Sequence, residues 1–157
     1  MFLTVKKLDS QQEKEAIHIL RAEVFINEQG VPPELEMDEF DSSAIHAVAY
    51  ASGIIVATGR LIMDTPSEGR IGRMAVEASL RRIGVGTAVL AFLENEAKAK
   101  GVKHIILHAQ DYVRNFYIKH GYVEQGESFL EAGILHIEMR KNILWVISVL
   151  TKITSTL

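Results

Sequence analysis

Apolar and polar positions along this chain follow two periods, and the switches between them mark its elements. Residues 2–6 read as a first strand. Ser10-Gln11-Gln12-Glu13 has the form of a capping box. Behind it Ala16, Ile17, Leu20, Val24 and Phe25 recur at helical spacing, which predicts an amphipathic helix to about Asn27, stopped by Gly30 and Pro32-Pro33. Residues 34–41 carry Glu34, Glu36, Asp38, Glu39 and Asp41 and predict an acidic loop or short helical turn. Residues 44–51 and 54–63 predict two strands joined at a Ser52-Gly53 turn, residues 64–69 a loop, and residues 71–76 another strand. The clearest helix is predicted over 86–100, where Ala88, Val89, Phe92, Leu93 and Ala97 form one stripe, Glu94 and Lys98 stand four apart, and Gly101 closes it.

A β-branched run over 102–108 predicts a buried strand. Asp111 then predicts the cap of a short helix through His120, closed by Gly121, and two last strands fall near 122–130 and 134–140. Strands with no helix between them can pair antiparallel, whereas the strand–helix–strand unit from Ile71 to His108 demands a parallel pair. The expectation is a mixed sheet with helices on both faces. The chain shows no internal repeat and no low-complexity linker.

Composition narrows this picture. The 157 residues, 48% of them hydrophobic, suit one domain with one core. A formal net charge of -3 gives no reason to expect nucleic acid or an anionic membrane as partner. Without cysteine there is neither disulfide nor thiol chemistry, which fits a reducing compartment. The start lacks a charged leader before an apolar stretch, so a cytoplasmic protein is expected. The one membrane-like run, 143–150, falls well short of the roughly 20 apolar residues a spanning helix needs, so no membrane span is expected.

The candidate chemistry starts at Arg81-Arg82-Ile83-Gly84-Val85-Gly86, between a predicted strand and the helix. A helix N-terminus offers unpaired N–H groups and partial positive charge, and glycines let an anion approach the backbone. A plain turn with solvated arginines is the bland reading. A dinucleotide fingerprint needs a third Gly or Ala where Val89 stands, and a P-loop needs a lysine after its glycine, where Thr87 stands. Neither nucleotide motif fits.

Arg81-x-x-Gly84-x-Gly86 resembles the Arg/Gln-x-x-Gly-x-Gly/Ala signature of the GNAT superfamily of N-acetyltransferases. Phe116-Tyr117-Ile118-Lys119-His120-Gly121-Tyr122 resembles that superfamily's Phe-Tyr-x-x-x-Gly-Phe/Tyr element. The segment from Arg21 to Pro32, Glu36-Met37-Asp38, His46, His108-Ala109-Gln110 and residues 133–139 are similar to its ElaA/YjcF-like branch. The likeness covers roughly residues 2–141. It implies an α/β (α+β) fold of GNAT type: a mixed, mostly antiparallel sheet of six to seven strands, helices on both faces, and a central parallel pair that splays. It also implies acetyl-coenzyme A as co-substrate, held by Met74, Ala75, Val76, Arg81, Arg82, Ile83, Gly84, Val85, Gly86, Thr87 and Phe116.

Transfer of an acetyl group to an amine by direct attack needs a neutral amine, a polarised carbonyl and a proton for the leaving thiolate. Tyr117 is the candidate proton donor, since a phenol with pKa near ~10 can serve a thiolate. Backbone around Met74–Val76 is the implied oxyanion site. The general base stays open among Glu28, His46, Glu77, His108 and His136, of which Glu28 and His108 are taken as catalytic candidates; a water chain is the other route. Arg21, Glu28, His46, His136 and the acidic segment 34–41 are expected to shape the acceptor side, whose carboxylates would attract a cationic amine. His104 and His108 share a strand face but lack a third ligand in register, so no metal is expected. Val113, where the family has a small residue, would narrow the coenzyme channel or alter the acyl group.

The expected organisation is a single acetyltransferase domain over 1–142 and an apolar extension over 143–157, buried on its own domain or in a homodimer. The expected function is acetyl transfer to a primary amine of a small molecule or peptide. The alternatives are an acyl-coenzyme A-binding regulatory module without turnover and an interaction protein that keeps only the fold.

Overall fold

A computed structural model describes residues 1–143. Its strands are β1 (Leu3–Lys7), β2 (Ile45–Ala51), β3 (Ile54–Thr65), β4 (Glu68–Val76), β5 (His104–Gln110), β6 (Val123–Glu131) and β7 (Ile134–Asn142). Its α-helices are α1 (Gln11–Arg21), α2 (Pro33–Glu36), α3 (Val85–Ala99) and α4 (Arg114–Lys119). One seven-stranded sheet runs in the order β1-β2-β3-β4-β5-β7-β6, antiparallel except for the parallel β4–β5 pair. The mixed sheet expected from the sequence is the one observed. The apolar tail expectation lies beyond residue 143, outside the described residues; Ile143 itself is buried in the core, and its amide donates to the Lys103 carbonyl (2.9 Å).

Strand alternation sorts the core into two faces. Ala47, Ala49, Leu61, Ile71, Ile105, Leu107, Ile137 and Met139 pack with Val89, Leu90 and Leu93 of α3. On the other face Leu20, Val24 and Phe25 pack on Ala75, and α1 lies against β3 and β4. Helices therefore cover both faces of the first half of the sheet. On β5 and β7 that second face carries His104, His108, Gln110, His136, Glu138 and Arg140, and β6 is exposed along nearly its whole length.

Several local expectations shift. The first helix does not run as one α-helix to Asn27: after Arg21 it widens into a π-helical segment, Ala22–Glu28. The wider winding seats Val24 and Phe25 in the second core and delivers Glu28 and Gln29 to the cleft described below. The loop over 64–69 is a tight hairpin, because Thr65 pairs with Glu68 and only Pro66-Ser67 turn. Glu94 does not pair with Lys98; it faces inward and accepts from the Tyr122 hydroxyl (3.2 Å) and Lys141 (2.7 Å). Asp111 starts a 3₁₀ turn, Asp111–Val113, and caps no helix. Ser52-Gly53 forms the expected two-residue turn, both residues at positive φ.

Candidate active site

The site begins with a glycine. A Cβ at Gly59 of β3 would stand 2.6 Å from Met74 Sδ and 2.9 Å from a Leu93 methyl, so only glycine lets β4 and α3 come this close. Opposite it the register slips: Thr58 faces Ala75 and Arg60 faces Gly72, leaving Arg73-Met74 as a bulge with Arg73 at φ +50°. β4 and β5 pair only from Glu68 to Arg70 against His104 to Ile106. Beyond Arg70 the β5-facing edge of β4 has no strand partner, and the two strands splay.

One cleft of about 600 Å³ opens on the α3 side of the splay. It is lined by Met74, Val76, Arg82, Gly84, Gly86, Thr87 and Phe116, and also by Gln29, Tyr112, Lys119 and His120. Gly84 is the N-cap of α3, at φ +94°, and no side chain caps the helix. The first amides of a fifteen-residue helix thus face the cleft with Arg82 and Lys119 beside them. A Cβ at Gly86 would meet the Phe116 ring at 3.5 Å, filling the space over the helix end. Val85 is buried in the core and anchors the helix, and the Ile83 side chain is exposed outside the cleft.

Arg81 does not point freely at this space. Its Nε donates to the Val76 carbonyl (2.9 Å) and its Nη2 to the Glu28 carboxylate (2.8 Å). The pair straps the π-helical segment to the glycine loop. Glu28 is thereby engaged on this side of the splay and not on the opposite one. Gln29 and Gln110 exchange side-chain amide hydrogen bonds (2.8 and 3.2 Å) across the same gap.

A second cavity of about 400 Å³ lies beyond the splay. Four residues, Met74, Gln110, Val113 and Tyr117, line both spaces. Among the described residues the Tyr117 hydroxyl has no hydrogen-bond partner, and burial, with Tyr112 adding to it, pushes its pKa above the ordinary phenol range. Val113 stands at this junction, where the sequence placed a narrowing.

The acidic segment walls the second cavity, but Glu36, Asp38 and Asp41 are already committed, and Glu34 and Glu39 lie outside the lining. Arg21, fully buried, holds Glu36 through Nε and Asp41 through Nη1 (2.7 Å). Arg60 holds Asp38 (2.7 Å) and Asp41 (2.9 Å), and Arg73 holds Asp38 (3.2 Å) and the Glu36 carbonyl (3.0 Å). Burial raises the Asp41 pKa, but the hydrogen bond and charge of Arg21, with the Asp38 amide and Arg60, outweigh it and leave a net shift well below the usual range. Arg21 therefore positions this wall and has no surface left for an acceptor. His46 is buried behind it, donating Nε2–H to the Asp41 carbonyl (2.8 Å), and lines neither cavity. Glu77 caps the Ala78–Leu80 turn through Ser79.

His108 and His136 do reach the second cavity. A guanidinium can only donate, so Arg70 Nη1 at 3.2 Å marks His108 Nε2 as the lone-pair nitrogen, and Nδ1–H donates to Glu131 (3.1 Å). His136 donates Nδ1–H to the Ile134 carbonyl (2.7 Å) and stacks on Phe129. Among the described residues no group of three or more metal-ligating side chains assembles, and His104 lies outside both cavities. Sequence reasoning missed Glu131, Gln29, Gln110, Lys119 and His120. Lys119 and His120 lie inside the Phe-Tyr motif, and Gln29 and Gln110 inside the other family-like segments, so all four carried a signal; Glu131 is brought in by strand register alone.

The two spaces thus meet at Met74, Gln110, Val113 and Tyr117. Residues 7–143 match the model of the acetyltransferase (GNAT) domain, and the chain belongs to that family, in its ElaA/YjcF-like branch. It is 39% identical over 135 residues to a Bacillus subtilis protein named as an uncharacterized N-acetyltransferase, YjcF, covering 85% of this chain and 95% of that one. The crystal structure of Escherichia coli ElaA superposes with a TM-score of 0.79 at 27% identity, covering 90% of this chain and 100% of that one. An aminoglycoside 6′-N-acetyltransferase complexed with coenzyme A shares the fold (TM-score 0.75, 19% identity, 89% and 97% coverage). Among the described residues no helix is long and apolar enough to cross a membrane.

Proposed function

We propose that this enzyme moves an acetyl group from acetyl-coenzyme A to a primary amine of a small molecule or peptide by direct attack of the amine. The observation that carries the reading is Tyr117, a largely buried residue that lines both cavities and whose hydroxyl has no hydrogen-bond partner among the described residues. The uncapped α3 N-terminus, the open space at Gly84 and the cations Arg82 and Lys119 suit a pyrophosphate, and the unpaired edge of β4 suits the amides of a pantetheine arm. Acetyl-coenzyme A supplies an activated acyl carbonyl and a thiol leaving group.

The chain's own residues do the rest. Backbone at Met74–Val76 faces the splay and offers donors to the acyl oxygen. Tyr117, held protonated by burial, gives its proton to the departing sulfur as the carbon–sulfur bond breaks and the carbon–nitrogen bond forms. His108 Nε2 takes the proton that the amine sheds, once the acceptor displaces Arg70 from it. Tyr117→Phe should lower kcat by about 10²–10⁴-fold, with the acetyl-coenzyme A Kd unchanged in calorimetry. Turnover equal to that of the parent would remove the role. A homodimer through the apolar tail belongs to the same proposal, and light scattering of a chain ending at Ile143 tests it: a mass unchanged from that of the full chain refutes it.

A further inference from the structure

We infer that the acceptor is an amine bearing one positive charge on an apolar body, and that Glu131 recognises that charge. The inference rests on the acetyl-transfer reading above. At the cavity the acidic segment is neutralised, because Glu36, Asp38 and Asp41 meet Arg21, Arg60 and Arg73, while Glu34 and Glu39 lie outside the lining. Of the carboxylates lining the acceptor cavity, Glu131 alone is held by imidazoles and by no guanidinium: His108 Nδ1 at 3.1 Å and His136 Nε2 at 3.6 Å. The hydrogen bond from His108 keeps it ionised, and its side chain is 49% exposed, so it can take a further donor.

Its position is also fixed. Glu131 pairs with Ile134 across a two-residue turn in which Ala132 and Gly133 both have positive φ, the geometry that matches strand twist. Facing it across the cavity, Phe25, Val31, Leu35 and Phe40 form an apolar wall. Leu35 and Phe40 are 51% and 45% exposed on an otherwise charged segment, which suits contact with an apolar ligand. A single carboxylate offsets a single ammonium at binding; that ammonium releases one proton to water before it attacks, and the second passes to His108 Nε2 as the carbon–nitrogen bond forms. A polycation would find no second available carboxylate among the described residues of this space, because Glu36 and Asp38 are held by arginines.

The test is a thiol-release assay on the full chain with acetyl-coenzyme A and either 2-phenylethylamine or the polycations spermidine and kanamycin. Phenylethylamine should have the lowest KM. Glu131→Gln, which keeps an oxygen for His108 but removes the charge, should raise that KM tenfold or more. Because the carboxylate also accepts from His108 Nδ1, kcat should fall as well, and the KM and its salt dependence are the readouts of charge recognition. The variant should also abolish the rise of KM with salt. Glu131→Asp should recover much of the loss. A preference for kanamycin or spermidine, or an unchanged KM in Glu131→Gln, overturns the inference. So does a thermal shift with acetyl-coenzyme A but no acetylation of phenylethylamine. Absence of both the thermal shift and thiol release with every amine sinks the acetyl-transfer reading itself.

Discussion

The two halves of the sheet are built on different terms. From β1 to β4 helices cover both faces, with α3 on one and α1 and its π-helical continuation on the other, and Gly59 leaves no room even for a methyl group. From β5 through β7 to β6 one face holds the core while the other presents His108, Gln110, His136, Glu138 and Glu131 toward solvent and the acceptor cavity. The two halves meet in both cavities. The cleft at the α3 end joins backbone features of the covered half, a bulge, a splay and an uncapped helix end, to side chains that follow β5, such as Phe116 and Lys119. The second cavity sets Phe25, Arg60 and Arg73 of the covered half against His108, Glu131 and His136 of the open one.

That contrast can be broken most severely at the buried charges. Arg21→Met leaves Glu36 and Asp41 buried without their main partner, and urea denaturation should show a loss of about 3–5 kcal/mol. The same experiment on Leu130→Thr, at an exposed position of β6, should move stability by no more than about 0.5 kcal/mol. Equal losses at the two sites would end the distinction between the halves.

Gly59→Ala sharpens it next. The added methyl would press on Met74, Leu93 and Val89, at a cost of about 1–3 kcal/mol by overpacking. Because Met74 lines both cavities, the same variant should weaken acetyl-coenzyme A binding in calorimetry. Destabilisation with unchanged affinity would separate the packing from the splay.

The smallest effect is one of pH. Burial lowers the pKa of His18 and of His46 below the usual 6.5, and buried His18 Nδ1 has no hydrogen-bond partner among the described residues, so a proton there would be poorly accommodated. The unfolded chain then binds protons that the folded chain refuses. Stability from this source is complete above the unfolded pKa, about 6.5, and declines as pH falls below it toward the folded values. Arginine partners outweigh burial and hold Asp38 and Asp41 below the usual carboxylate range, and hydrogen bonds from Lys6 and Tyr50 hold Glu13 at about 2, so these three contribute nothing to this first decline. Thermal melts from pH 8 to pH 5 should show Tm constant above neutrality and falling below it, with a shallower fall in His46→Asn. A flat profile would show that these histidines are protonated without cost.

Only part of this arrangement was readable in the sequence. The glycine loop and the Phe-Tyr element could be read because each is local: glycine, arginine and aromatic spacing specify a helix end and its neighbour within a few residues. The hairpins and the parallel crossover were readable for the same reason. The neutralised acidic segment was not, since Arg60 and Arg73 meet Asp38 only after β3 and β4 pair with a bulge. Glu131 was not either. It stands 23 residues from His108 and meets it because β7 pairs with both β5 and β6. The widened winding of Ala22–Glu28 leaves no signature in an apolar periodicity that fits an α-helix equally well.

The bare strand β6 also bears on how such an enzyme diversifies. Most of its side chains touch solvent, so replacing them costs the fold little. The hairpin that carries Glu131 can therefore change its chemistry in single steps without passing through an unfolded ancestor. The turn at Gly84 and the contact at Gly59 have no such freedom, because each depends on glycine. On the proposed reading, selection can retune the acceptor while the acetyl donor is inherited unchanged.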